Sequence, residues 1–274
     1  MSDFVIENPR NGRIREVARL RKRAERVESG LFLLEGPQSL REALSYRPET
    51  VFEIFATPTA WEKHTDVREL AEASDHDIEL VFVTEQVLDA LADTVTPQGM
   101  VAVARQIPTA LKDIFTPEVK LIAVCEEVRD PGNLGTIIRA ADAAGADAVV
   151  LTGRTVDLFN SKVVRSTTGS LYHLPIAVGG DLADVITRAH AAGLIATAAD
   201  VKGADFLAAR NSGELAQPRA WVFGNEARGL SDEALALCDD ALRIPIFGEA
   251  ESLNLATAAS VCLYETAFAQ RSAG

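Results

Sequence analysis

Apolar and polar positions alternate along this chain in two successive rhythms. In LFLLEGPQSLREAL a short apolar run passes through Gly36 and Pro37 into a segment with helical spacing, which predicts a strand followed by a helix. VFEIFAT and ELVFVT read as further strands, separated by a helical stretch around ELAEAS, and GMVAVARQ supplies another. These elements predict a small α/β domain over residues 1–106. IPTALKDIFTPEVK then brings two prolines and mixed polarity, the pattern of a linker, placed at 107–118.

From 119 to 274 the rhythm becomes strand, loop and helix in repetition. LIAVCEEV, DAVVLTG, GLIATAA, RAWVFGN and ALRIPIFG carry the strands, an Ala-rich helix follows the first, and a helix apolar on nearly every side begins near Asn254. This alternation predicts a mostly parallel sheet covered by helices on both faces. There is no internal repeat and no low-complexity tract.

Composition narrows the class. A hydrophobic content of 47% supports a sizeable core. No stretch reaches the roughly 20 apolar residues that span a bilayer, and MSDFVIENPR lacks the features of a signal peptide. A cytoplasmic location without a membrane partner is expected. Cys125, Cys238 and Cys262 lie far apart and lack zinc-binding spacings, so reduced thiols and no metal are expected.

Net charge changes the picture only through its distribution. The formal charge of −13 disfavours a polyanion partner. Yet from Arg10 to Arg26 there are eight basic residues (Arg10, Arg13, Arg15, Arg19, Arg21, Lys22, Arg23, Arg26) against Glu16 and Glu25, which leaves +6 on the arm and −19 on the rest. Arg13, Arg15, Arg19 and Arg23 are the candidate RNA contacts. A solvated helix face accounts for the same charges equally well, with Ile14, Val17, Ala24 and Val27 forming an apolar stripe beneath them.

Three segments carry candidate chemistry. In CEEVRDPGNLGTIIRAADAAG a buried strand ends at a turn with Pro131, Gly132 and Gly135, and Arg139 follows Asn133 by six residues. Open α/β sheets place ligands at such turns; an ordinary strand-to-helix connection capped by Asn133 is the plainer account. In WVFGNEARGLSDEAL a strand opens into Gly224, Asn225 and Glu226 before a helix capped near Ser231, and the glycine permits close approach of a ligand. In RIPIFGEAESLNLATAASVCLYETAFAQ, strand residues Ile244 to Phe247 lead to Ser252, Leu253 and Asn254 and then to the apolar helix, which is expected in a subunit interface or a deep core. The spacings GxGxxG and GxxxxGK[ST] are both absent, which counts against a nucleotide-dependent dehydrogenase or a P-loop enzyme.

Taken in this order, Asn133-x-Gly135-x-x-x-Arg139, Gly224-Asn225-Glu226 and the Ile-Pro-Ile with Ser-Leu-Asn of Ile244 to Asn254 resemble the motifs of the SpoU (TrmH) family, the RNA 2′-O-ribose methyltransferases of the SPOUT superfamily. Upstream, FLLEGPQSLREAL and TPQGMVAVA are similar to the L30e-like substrate-binding domain carried by many rRNA-modifying members. The resemblance implies a C-terminal SPOUT domain with a trefoil knot, homodimerisation through that domain, and an RNA substrate. It also implies S-adenosylmethionine held largely by backbone groups at Gly224, Ile244 and Leu253. By the same resemblance Arg139, Asn133, Glu226, Ser252 and Asn254 are the catalytic set, with Arg139 assisting loss of the hydroxyl proton. A guanidinium is ordinarily a permanent donor, so anchoring of a phosphate and of the developing alkoxide is the chemically easier role.

Lys162 and Arg165, in FNSKVVRSTTGSLYHLP, are further candidate RNA contacts, with surface charge as the alternative, and His173 reads as a packed or surface histidine. The sequence leaves 23S rRNA, favoured by the L30e-like domain, beside 16S rRNA and tRNA as targets. A non-catalytic RNA-binding knot protein is the remaining alternative; such a protein would be expected to lack Arg139, Asn133 or Asn254, and all three are present.

Overall fold

The computed structural model describes residues 5–272; the first four residues, where the N-terminal reading against a signal peptide begins, lie outside them. The chain forms two compact units. One comprises 1–107 together with 157–172, the other 108–156 together with 173–274.

The first unit is built on β1 (Leu31–Glu35), β2 (Val51–Ala56), β3 (Glu79–Phe82) and β4 (Met100–Arg105). Their order is β1-β4-β2-β3, with β4 antiparallel to both β1 and β2 and β2 parallel to β3. Helices α1 (Gly12–Arg19), α2 (Arg23–Ser29), α3 (Pro37–Tyr46), α4 (Pro58–Lys63), α5 (Thr65–Glu72) and α6 (Glu85–Leu91) complete it. Ile14 and Val17 enter a core with Leu33, Phe55, Leu88 and Val101. The apolar stripe expected to continue through Ala24 and Val27 does not: the helix breaks at Leu20–Lys22, Ala24 is exposed and Val27 is 71% exposed. Gly30, in the left-handed region at φ 68, closes α2 and turns the chain into β1. Arg26 is buried instead, donating to the carbonyls of Leu20 and Arg21 and pairing with Asp157.

The second unit begins with α7 (Leu111–Ile114), a short helix inside the segment read as a linker, and then follows the expected alternation: β5 (Leu121–Glu126), α8 (Pro131–Ala144) and β6 (Ala148–Thr152). The chain then leaves for the first unit, where α9 (Ser161–Thr167) packs, and returns as β7 (Ile176–Val178), α10 (Leu182–Ala191), β8 (Ile195–Asp205), α11 (Phe206–Asn211), β9 (Arg219–Phe223), α12 (Asp232–Leu237), β10 (Asp240–Arg243) and α13 (Leu255–Ser272). The six strands are parallel in the order β10-β8-β9-β5-β6-β7. Every residue of β6 and β9 is buried, as expected of central strands covered on both faces.

Three elements depart from expectation. The strand placed at Ile244 to Phe247 lies at Asp240–Arg243 instead, because Pro245 has no N–H to give a ladder and Ile244 onward turns away as loop. The short β7 was not foreseen; with only three residues it presents too little pattern to be read. The apolar helix α13 spends much of its surface inside its own unit: Ala256, Ala259, Cys262, Leu263, Thr266 and Ala267 are buried, and Trp221 donates to Thr266 at 2.9 Å. Thr257, Tyr264 and Phe268 remain exposed. Among the described residues no helix is long and apolar enough to cross a membrane.

Candidate active site

β5 and β9 are neighbours, but the chain leaves β5 toward β6 on one side while β9 pairs on the other. Their carboxyl-end loops therefore flank the crevice where an open parallel sheet admits a ligand. The loop after β5 runs into α8 through Asp130, which caps the helix by accepting from the Asn133 N–H at 2.8 Å, with Pro131 at the first helical position. Asn133 is therefore not the cap. Its side chain is left to point elsewhere.

It points into a chain of hydrogen bonds that joins all three motifs. Asn254 Nδ2 donates to Asn133 Oδ1 at 3.0 Å, and Asn133 Nδ2 donates to Glu226 Oε1 at 3.3 Å. The Glu226 carboxylate also accepts the backbone N–H of Arg129 at 3.2 Å and of Asp130 at 3.0 Å. With three donors on it, Glu226 is a fixed anchor beneath the α8 entry and not a spare base. Asn254 Oδ1 meanwhile accepts from Ala256 and Thr257 and so opens α13. One residue both caps the helix and holds the site.

Asn225 organises the loop that carries Glu226, although only its place in the motif marked it in the sequence. Its Nδ2 donates to the Glu127 carbonyl at 3.0 Å, its Oδ1 accepts from Ala227 and Arg228, and its backbone pairs both ways with Gly229. Glu127 is held at φ 53, uncommon for a residue other than glycine. Beneath this loop, burial and the charge of Glu226 push the Cys125 thiol up to about 12, which removes it as a nucleophile.

A cleft of about 350 Å³ opens beside the loop, lined by Ile244, Ile246, Ser252, Leu253 and Glu226 among others. Ile244 and Leu253, two of the expected cofactor contacts, thus line this cleft. Gly224 does not line the cleft. A Cβ there would meet the backbone of Gly229 and Leu230 at 2.6 Å, so the glycine lets residues 229–230, which do line it, pack against the end of β9. The opposite wall, Ala199 to Lys202, comes from the long β8 and was not anticipated. A second close approach permits it: at Gly203 a Cβ would stand 2.5 Å from the Ala241 carbonyl of β10.

Arg139 and Ser252 stand outside the hydrogen-bonded chain. Arg139 lies about 9 Å beyond Asn133 along the helix axis, on the face of Gly132 and Thr136, exposed and without an ion pair among the described residues. Of the arm residues, Arg13 is bound to Glu53 and Glu79 and Arg19 to Glu25, whereas Arg15 and Arg23 are exposed and have no ion pair among the described residues. Arg165 pairs at 3.0 Å with the buried Glu35, and Lys162 is exposed. His173 bonds Asp142 at 2.7 Å, away from these groups.

A parallel sheet with a cofactor-sized cleft between β8 and the loops after β9 and β10, joined in one chain to a small α/β unit, has the architecture of the SPOUT methyltransferases. Residues 120–264 match the model of the SpoU rRNA methylase family, and 11–102 match an MRM3-like substrate binding domain. The 23S rRNA (guanosine(2553)-2′-O)-methyltransferase RlmP of Bacillus subtilis is 34% identical, over 94% of this chain and 97% of its own. The SpoU methyltransferase AviRb of Streptomyces viridochromogenes, solved with AdoMet, superposes with a TM-score of 0.82 at 30% identity, covering 97% of this chain and 100% of that one. An AdoMet-bound rRNA methyltransferase from Sinorhizobium meliloti gives 0.80 at 30% identity, with 96% and 97% covered. This chain belongs to the SpoU rRNA methylase family.

Proposed function

We propose that the protein transfers a methyl group from S-adenosylmethionine to a ribose 2′-hydroxyl of 23S rRNA. The observation that carries this is the Asn254–Asn133–Glu226 chain set beside the cleft of Ile244 and Leu253. The lining suits the cofactor: Ile244, Ile246 and Leu253 offer aliphatic faces for the adenine, Asp200 offers an acceptor, and Lys202 and Arg228 offer cations for a carboxylate. When bound, S-adenosylmethionine supplies an electrophilic methyl on a sulfonium, and alignment of the hydroxyl with it provides much of the rate.

The chain's own residues then have separable tasks. Glu226, saturated by donors, fixes the distance between the loops after β5 and β9; Asn133 and Asn254 lock the loop before α13 to them. Arg139 donates to the phosphate beside the target ribose and stabilises the alkoxide as it forms, with Ser252 at the cleft as a hydroxyl contact. RNA is captured by Arg15 and Arg23, which have no carboxylate partner among the described residues, together with Lys162; Arg13, Arg19 and Arg165 contribute less because Glu53, Glu79, Glu25 and Glu35 already hold them. The domains keep the bounds 1–106, 107–118 and 119–274, with 157–172 lent to the first. The loops of 224–254 form a trefoil knot, and the protein works in the cytoplasm as a homodimer that buries the exposed Tyr264 and Phe268 of α13.

The test is calorimetry of S-adenosylmethionine with the purified protein, followed by transfer of a labelled methyl group to 23S rRNA, 16S rRNA and tRNA. Binding together with label on a 2′-oxygen of 23S rRNA is expected. No binding with or without RNA would leave the non-catalytic alternative, and label on tRNA alone would move the target.

A further inference from the structure

The first unit holds a cavity of about 210 Å³ that the reaction above does not use. Its walls come from both pieces of that unit: Glu35 and Gly36 at the end of β1, the loop 92–98, the start of β4, and Arg165 from α9. Two side-chain bonds tie α9 to the loop region. Ser161 donates to Asp93 at 2.6 Å, and Arg165 donates to Glu35, whose carboxylate also takes the backbone N–H of Asp93 at 3.0 Å and of Thr94 at 3.2 Å.

The lining is chemically particular. Glu35 and Arg165 neutralise each other at the wall, so the cavity is no simple anion site, while the guanidinium keeps N–H groups beyond the one Glu35 takes. Ala92, Pro97, Met100 and Val101 give apolar surface; Thr94, Thr96 and Gln98 give uncharged donors and acceptors. Apolar walls for a ring face and neutral polar groups for its edge are what an unstacked nucleobase requires, and single-stranded RNA is read in this way. Lys162 precedes Arg165 by one helical turn on α9 and is exposed.

Resting on the reading of the chain as an RNA methyltransferase, we infer that this cavity receives one unpaired base of the substrate RNA, with Lys162 on a flanking phosphate. Phosphate contacts fix register and the cavity supplies selectivity.

The experiment uses the full chain with Gln98→Ala and, separately, Thr96→Trp to fill the cavity; both positions are exposed, so two independent folded variants are available. Affinity for a 23S rRNA transcript and for a fully paired RNA duplex is measured for each, with S-adenosylmethionine calorimetry in parallel. A tenfold or greater loss of transcript affinity, with duplex affinity retained, is expected. Transcript affinity equal to the parent's in both variants, or equal losses on transcript and duplex, overturns the inference. Failure of the methyltransferase reading would register separately, as absent cofactor binding in the parent.

Discussion

The two ends of β9 carry opposite kinds of polarity. At its start Arg219 is fully buried: it donates to Thr197 and to the Glu214 carbonyl, pairs with Asp240 at 3.3 Å and lies over the Trp221 ring. At its end, past the buried Gly224, Asn225 and the exposed Glu226 hold neighbouring loops by bonds to backbone amides and carbonyls. The first end is a charge committed inward, even at the cost of leaving the buried Arg219 Nε and Asp240 Oδ1 without partners. The second end fixes a frame at the entry to α8, on which Arg139 has no ion pair among the described residues. A polar group saturated within the fold stabilises; one with spare capacity is available to a ligand.

The largest effect should come from breaking the inward end. Arg219→Met removes the buried guanidinium from the partly buried Asp240 and from Thr197 and the Glu214 carbonyl and should cost about 1–3 kcal/mol, read by denaturant unfolding, while whatever protein remains folded binds cofactor normally. Weak destabilisation would mean the pair is not an anchor. Ala259→Glu belongs with it, since that position is fully buried on α13 and an unpaired charge there should unfold the second unit. Phe268→Glu, on the exposed stripe of the same helix, should instead keep the fold and convert dimer to monomer, as judged by sedimentation.

At the outward end the effect should fall on rate. Arg139→Ala should retain thermal stability and cofactor affinity yet lower single-turnover methylation by about 10²-fold or more, and Lys should rescue part of it by holding a phosphate without the bidentate fork. A wild-type rate would remove Arg139 from the reaction. The smallest effect extends the same contrast to the arm. Neutralising Arg15 and Arg23 should reduce the log–log salt slope of RNA binding by roughly 0.9 for each duplex phosphate that is no longer neutralised. Neutralising Arg13 and Arg19 should change the slope less and stability more, because burial already raises the Glu53 pKa and Arg13 opposes that rise. Equal slopes for the two pairs would erase the distinction.

Much of this was legible in the chain itself. The strands MVAVAR, LIAVCE, AVVLT and RAWVF follow from nearly uninterrupted apolar runs, because a strand buried on both faces needs them, and the first two motifs stand out because each sits at the end of such a strand. Single side chains resisted the same reading. Asn133 looked like a helix cap until Asp130 took that role and freed it for Asn254 and Glu226, residues 121 and 93 positions away. Arg13, Arg15, Arg19 and Arg23 are one charge cluster in sequence, and only the placement of Glu25, Glu53 and Glu79 separates those bound from those without a carboxylate among the described residues. The excursion of 157–172 into the first unit, which brings Arg165 to Glu35 and Arg26 to Asp157, is likewise a long-range pairing. Local pattern determines which segments are strands and helices, because that depends on neighbours in the chain. Which polar groups are satisfied depends on neighbours in space, and tertiary structure alone decides that.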